Sequence, residues 1–360
     1  MGGMDSPDEA PKLRIGRRDI FTAVGAAAVG GVAGWALRST GSEQVAADPA
    51  PSQSPSAAPA GGVPGITLPA VPQRHARLTV LAVDGPAAAV LDAARRIAAA
   101  DPAQPADAGE VSVTIGFAPH IARELWPERA TADALPRFAS DADDIVEGGD
   151  LAIQVCAETA PGARGASARI LGEISSRIAW QADGYRDAPT PEGTARTNIG
   201  FIDGIINPRS AEELAAGVFT AQGDTYAVFR RIRIAQSFLD ASVSDQEGAI
   251  GRSRETGAPL SGGSTMDEID LFAKTDAGRT LIPAAAHARR AHPANIGRPL
   301  MLRRSYSIDA DPGAGLLFAA FMNDPQTFTT TQRRLDEMDD LIRHTTTEAS
   351  GVFFVPAELG

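Results

Sequence analysis

Apolar and polar residues alternate with a period of two over 78–83, and after Gly85-Pro86 the spacing lengthens to a helical period through Ala100. These two periods distinguish a half-buried strand from an amphipathic helix. Residues 111–117 predict a second strand, and 120–126 a short helix after Pro119. A third strand is expected over 150–157 behind a Gly-Gly turn, a helix over 165–177 and a fourth strand over 178–185. The order then repeats. Residues 226–238 read as a strand, and 244–252 as a helix entered through the capping pattern Ser244-x-x-Glu247. Residues 300–308 and 316–323 are expected to be strands, 328–344 a charged amphipathic helix and 352–355 a last strand. Two passes of βαββαβ predict an α+β fold of two ferredoxin-like domains. The second pass carries an extra segment, 253–298, between its first helix and second strand. Insertions of that size in a compact unit tend to carry function.

Ahead of this body the chain changes character. Arg17-Arg18 precedes a Gly/Ala/Val stretch that ends near Leu37. A twin arginine before a moderately apolar segment resembles the signal of the twin-arginine export route. As a membrane anchor the stretch is marginal, since it barely reaches the roughly 20 apolar residues of a span. Residues 48–65 are rich in Pro, Ala, Ser and Gly and read as a linker. The expected organisation is a signal region at 1–47, a linker at 48–74, an N-terminal ferredoxin-like domain at 75–192 and a C-terminal one at 193–360. The expected destination is the periplasm, the cell envelope or the medium, with the twin-arginine export machinery as a partner.

Composition narrows the chemistry. Of 360 residues, 43% are hydrophobic and 22% charged, as in an ordinary globular protein. A net charge of −12 gives no basic face for nucleic acid. The single cysteine, Cys156, excludes an intrachain disulfide and a cysteine-based metal cluster. It lies in a strand pattern and reads as a core thiol. With five histidines in the chain, imidazole chemistry has few candidates.

Three residues stand out. Asp203 sits within an apolar run (Ile199, Phe201, Ile202, Ile205, Ile206) between Gly200 and Gly204, with Asn207-Pro208 closing the segment as a turn. A Gly-x-x-Asp-Gly pattern alone fits a buried carboxylate that satisfies loop amides as readily as it fits a working one. His287 lies in the insertion, in a segment from Pro283 to Pro293 that predicts a helix with alanines around the imidazole. A core histidine bonded to a carbonyl is the plain alternative. His292, beside the stopping proline, reads as a helix-end residue. Arg303 and Arg304 share a predicted strand, which points one inward and leaves the other in solvent.

In that order Asp203, His287 and Arg303 resemble the dye-decolourising peroxidases, a haem peroxidase family. The likeness runs from about residue 78 to the end. It rests on Gly200-Phe-Ile-Asp-Gly204, Arg230-Arg-Ile-Arg233, Gln246-Glu-Gly-Ala-Ile-Gly-Arg252, Gly257-Ala-Pro-Leu260, the segment from His287 to Pro293, Met301-Leu-Arg-Arg-Ser-Tyr306, Gly315-Leu-Leu-Phe318 and Ile342-Arg-His344. The resemblance implies a dimeric α+β barrel-like pair of ferredoxin-like domains, with haem b in the C-terminal half. It implies His287 as the iron ligand, Asp203 as distal acid/base and Arg303 as distal cation. Arg233, Leu316 and Phe318 are implied as further cofactor-binding residues. Hydrogen peroxide and a small aromatic electron donor are the implied partners, and a homo-oligomer is compatible with the family. Iron release from haem, as in a deferrochelatase, and haem binding or transfer without turnover are the alternative functions. Two departures are visible: Ile202, Ile205 and Ile206 flank the motif aspartate, where relatives often have polar residues and Thr, and Ser305 fills a position that is Gly or Asn in many of them.

Overall fold

The structure, a computed structural model, describes residues 62–100, 109–172 and 174–359. The first half runs β1 (His75–Val83), α1 (Ala87–Ala99), β2 (Ser112–Phe117), α2 (Pro119–Leu125), β3 (Asp141–Glu147), β4 (Leu151–Ala157), α3 (Ala160–Leu171) and β5 (Ser176–Tyr185). Helix α1 buries Val90, Ala93, Ala94 and Ile97, a stripe at helical spacing that faces the sheet. Helix α3 starts where the Thr159 hydroxyl accepts the amide of Gly162 at 3.1 Å.

The second half begins with the short strands β6 (Ala195–Arg196) and β7 (Ile202–Asp203), which pair with each other, and α4 (Ala211–Gly217). It continues through β8 (Thr225–Ile234), α5 (Gln236–Leu239), α6 (Val243–Ile250), α7 (His287–Arg290), α8 (Pro293–Ile296), β9 (Leu302–Arg303), β10 (Tyr306–Asp309), β11 (Ala314–Met322), α9 (Gln326–Met338) and β12 (Thr345–Val355).

Sheet order in the first half is β5-β1-β4-β2 and in the second β12-β8-β11-β10, the same arrangement twice. Strands β9 and β10 are two pieces of one edge strand, both antiparallel to β11. The two sheets join along both edges, through Phe117 opposite Phe354 and Tyr185 opposite Ser307, so the pairings close on themselves as in a barrel. One backbone pairing per seam is little. Along the first seam Trp126 packs edge-on to Phe117, with centroids 5.0 Å apart, and against Phe354 at 5.7 Å. Each aromatic contact of this kind contributes about 0.5–1.5 kcal/mol beyond burial. Leu78, Val80, Trp180, Phe229, Leu317, Phe321 and Phe353 fill the interior, and Cys156 is buried among them as expected.

Several expectations are corrected. Strand β3 was not foreseen, because its sequence is acidic; it pairs parallel to β12, and Asp141 engages the buried guanidinium of Arg230. Packing begins before residue 75: Ile66 is buried, and the Gln73 side chain bonds Glu110 and Ser112. The N-cap of α6 is Ser242 rather than Ser244, and Glu247 instead accepts the amide of Arg254. Helix α9 stops at Met338, six residues short of His344, where Asp339 turns extended. The helix expected over 283–293 is replaced by the single turns α7 and α8. Pro293 lacks an amide hydrogen to continue the first turn, and His292 caps the second, its Nδ1 accepting the amide of Ala294. His292 therefore stands at a helix start, not a helix end. The twin arginine, the apolar stretch after it and most of the linker lie outside the described residues. Among the described residues no helix is long and apolar enough to cross a membrane.

Candidate active site

Asp203 occupies the second position of β7, opposite Ala195. Ile199, Phe201 and Ile205 around it are buried, so the apolar run anchors the hairpin and leaves the carboxylate about 29% exposed. Gly200 and Gly204 have φ of +91° and +85°, a region where a side chain strains the backbone. A Cβ on Gly200 would collide with the Arg254 guanidinium, whereas one on Gly204 would meet no heavy atom of the described residues closer than 4.0 Å. The backbone beside Asp203 thus borders open space. Arg196 ties the hairpin to the insertion by donating to the carbonyls of Gly200, Arg254 and Glu255.

Arg303 arrives from β9. Its amide donates to Asn207 Oδ1 at 3.0 Å, and the Asn207 amide nitrogen donates back to the Arg303 carbonyl at 2.8 Å. Asn207, read from sequence only as a turn residue, thereby fixes the arginine's backbone. Arg303 Nη1 donates to the Ile206 carbonyl at 3.0 Å, and Nη2 lies 3.5 Å from Asp203 Oδ1. That oxygen also accepts the amide of Gly204 at 2.7 Å. Oδ2 keeps no protein partner among the described residues. Burial pushes the Asp203 carboxyl upward, but the charges of Arg303 and Arg186, with the Gly204 amide, outweigh it and hold the group below the usual carboxylate range. Arg304 corrects the expectation of one arginine in solvent: it is 4% exposed and donates to the Pro69 carbonyl.

His287 opens α7. Its Nδ1 lies 3.0 Å from Oδ2 of Asp339, whose other oxygen accepts the amide of Ile342 at 2.8 Å. Asp339 is fully buried, while a third of the imidazole stays accessible and its Nε2 meets no protein group among the described residues. Burial disfavours the imidazolium, yet the Asp339 charge and hydrogen bond prevail and raise the pKa above the ordinary histidine value. Arg303 and Asp203 also act on His287 through space, so the three residues share one electrostatic environment. Asp339 escaped the sequence reading because it lay inside the predicted helix 328–344. It reaches His287 only because the helix ends at Met338.

Leu316 and Phe318 share one face of β11, where Ile232 and Arg230 stand opposite them on β8. Phe318 packs on Phe328 of α9 with centroids 5.5 Å apart, while Leu316 and Ile232 stay partly exposed. Arg233 is not brought to this face. It pairs across from Gly315, which places it on the other side of the sheet, and its Nε donates to Glu348 at 3.1 Å. The alternation of β8 decides this, since residues 232 and 233 must point oppositely.

Comparison with known proteins identifies the family. Residues 194–359 match the family model described as Dyp-type peroxidase, C-terminal, a span that holds Asp203, His287, Arg303 and Asp339. DtpA of Streptomyces lividans, solved as an oxyferrous complex, is 34% identical and superposes with a TM-score of 0.71, over 81% of this chain and 91% of that one. The chain belongs to the DyP-type peroxidase family. A dye-decolorizing peroxidase of Thermobifida fusca is 35% identical over 277 residues, 68% of this chain and 64% of that protein. A deferrochelatase of Yersinia pestis is 32% identical over 230 residues, 56% of this chain and 52% of its own. The chain thus spans less than two-thirds of the length of these two relatives. As a member of that family the chain keeps the fold read from sequence, two ferredoxin-like halves, and the candidate residues lie in the second.

The residues present suit a haem. An imidazole whose inner nitrogen is held by a buried carboxylate has the donor set of an axial iron ligand. Open space at Gly204 and partly exposed apolar side chains on β8 and β11 suit a flat apolar group.

Proposed function

We propose that this DyP-type peroxidase binds haem b through His287 Nε2 and reduces hydrogen peroxide beside Asp203 and Arg303, with a small aromatic compound as one-electron donor. The observation that carries this reading is the His287–Asp339 hydrogen bond, which leaves Nε2 of the imidazole accessible, together with the Asp203–Arg303 ion pair. Haem, when bound, supplies the redox chemistry. The protein supplies position and protons. Asp339 orients the imidazole and increases its basicity. Oδ2 of Asp203, which has no protein partner among the described residues, would take a proton from one oxygen of peroxide and return it to the other. Arg303 sets a fixed positive charge beside the anion that develops as the O–O bond breaks. Leu316 and Phe318 keep the reacting face apolar.

The purified protein loaded with haem is expected to change its absorption spectrum on one equivalent of peroxide and to recover it on adding donor. An unchanged spectrum argues against the reading. The deferrochelatase relatives suggest iron release as the second reading, and free porphyrin accumulating from intact haem would favour it.

A depressed Asp203 pKa sets the expected pH dependence. An ordinary aspartate titrates near pH ~3.9. With the folded value lower, the base form survives into acid solution, and the acid form is populated only there. Proton uptake from peroxide starts from the base form, so the rate of peroxide cleavage is expected to hold from neutrality into acid solution and to fall only as pH drops through the depressed Asp203 value. A donor that does not ionise makes the measurement clean. A rate that already falls between pH 7 and pH 5 as the solution is acidified would remove Asp203 as the proton carrier.

Export is part of the same proposal and rests on Arg17-Arg18 before the Gly/Ala-rich stretch. The double substitution Arg17→Lys, Arg18→Lys is expected to hold the precursor in the cytoplasm, as read by cell fractionation. Undiminished secretion would count against it.

A further inference from the structure

A cavity of about 350 Å³ lies between α6 and the turn that follows α9, within the size range of small-molecule sites, about 300–1,000 Å³. Its place is informative. Asp340, in its lining, is covalently joined to Asp339, the carboxylate on His287. The Asp340 amide donates at 2.9 Å to the carbonyl of Ala285, two residues before His287. One peptide link and one hydrogen bond therefore separate the cavity wall from the imidazole.

The lining suits a small ring. Phe238 and His344 contribute rings 5.7 Å apart and inclined at 54°, and Ala249 and Pro283 add apolar surface. Gln246, also in the wall, is 2% exposed. Its Nε2 donates to the carbonyls of Phe238, Leu239 and Ala241 at 3.0, 3.1 and 3.0 Å. Three acceptors around that nitrogen fix the orientation of the amide. Oε1 is then a buried acceptor without a protein partner among the described residues. An unmet acceptor costs free energy, and a ligand hydroxyl would satisfy it. Gly248 opens the space further: it is helical, and a Cβ built on it meets no heavy atom of the described residues within 4 Å. Charge excludes an anionic ligand. Asp245 and Asp340 face a single arginine, Arg343, which already pairs with Asp340 at 3.1 Å.

We propose that this cavity binds the reducing substrate, an uncharged phenol of one ring, and this rests on the peroxidase reading above. Each phenol breaks its O–H bond and gives up one electron and one proton. Two phenols thus reduce one hydrogen peroxide to two waters, leaving two phenoxyl radicals. The electron leaves the ring along the Asp340–Asp339–His287 connection, and the proton leaves to water at the cavity mouth.

The test uses the haem-loaded enzyme and 4-fluorophenol. Its fluorine resonance is expected to broaden saturably in the ferric protein. Gly248→Leu, which fills the space without a clash at Cβ, is expected to weaken that binding and raise KM for 4-fluorophenol on the order of tenfold, the change made by losing about 1.4 kcal/mol. Gly248→Ala, a smaller filling, should fall between. Saturable broadening that Gly248→Leu abolishes supports the site whether or not peroxide is consumed. Consumption of peroxide without donor, followed in a single turnover, reads the peroxidase proposal separately. Equal affinity in wild type and Gly248→Leu, or no saturable broadening in wild type, overturns the site even where peroxide is consumed.

Discussion

With alanine at position 287, the purified protein is expected to lose its haem. His287 offers Nε2 to the site, while Asp339 holds Nδ1 at 3.0 Å and is itself anchored by the amide of Ile342. Removing the imidazole removes the ligand and leaves the Asp339 carboxylate buried with one partner fewer, a costly state for a charged group. The Soret band of the ferric protein should therefore vanish or fade through gel filtration. Asp339→Asn is the informative companion, because it preserves size and an acceptor but not the charge. Partners of metal-bound histidines are worth about 10–100-fold in metal affinity or activity, so this variant should retain haem more weakly than wild type and better than His287→Ala. His292→Ala should keep the band, since His292 caps α8 through a backbone amide and has no buried carboxylate to orient it as Asp339 orients His287. Loss of the band in His292→Ala, with retention in His287→Ala, would move the ligand to position 292.

The periodicities of the sequence carried the architecture well. Two βαββαβ passes were visible because the core faces of β1, β8 and β11 are apolar at strand spacing and that of α1 at helix spacing. What escaped was polar or local. Strand β3 has the composition of a loop and is held by its pairing with β12 and by Arg230, contacts distant in sequence. Asp339 was hidden because helical periodicity continues past it, and the break at Met338 leaves little trace in composition. Asn207 looked like an ordinary turn residue, yet its amide pairs with the backbone of Arg303, 96 residues away. Asp203, His287 and Arg303 were singled out by residue type, apolar surroundings and family likeness. Arg233 came from family likeness alone, and strand alternation places it on the other face. A motif transfers a residue type reliably. The direction of its side chain depends on the register.

Replacing Arg303 by leucine is expected to slow peroxide cleavage about 100- to 1,000-fold, the scale of losing one preorganised electrostatic donor, roughly 3–4 kcal/mol. The geometry allows the effect to be read as chemistry rather than misfolding. The backbone of Arg303 is held at both its amide and its carbonyl by Asn207, and neither bond involves the guanidinium. The second consequence concerns Asp203. In the native site Arg303 is the largest influence opposing burial of that carboxylate, ahead of Arg186 and the Gly204 amide. Without it, burial gains ground and the Asp203 pKa rises. The sign follows directly. In wild type the base form persists to low pH, so activity is lost only in strong acid as Asp203 takes up a proton. In Arg303→Leu that loss begins at higher pH, and the acid limb of the residual rate moves toward neutrality. Arg303→Lys keeps a charge without the fork, and should recover part of the rate and most of the limb's position. Stopped-flow rates measured across pH separate the two effects. A rate unchanged by Arg303→Leu would remove the arginine from cleavage. A slowed rate with an unmoved acid limb would show that Arg303 acts on peroxide alone, and that the proton is carried by a group other than Asp203.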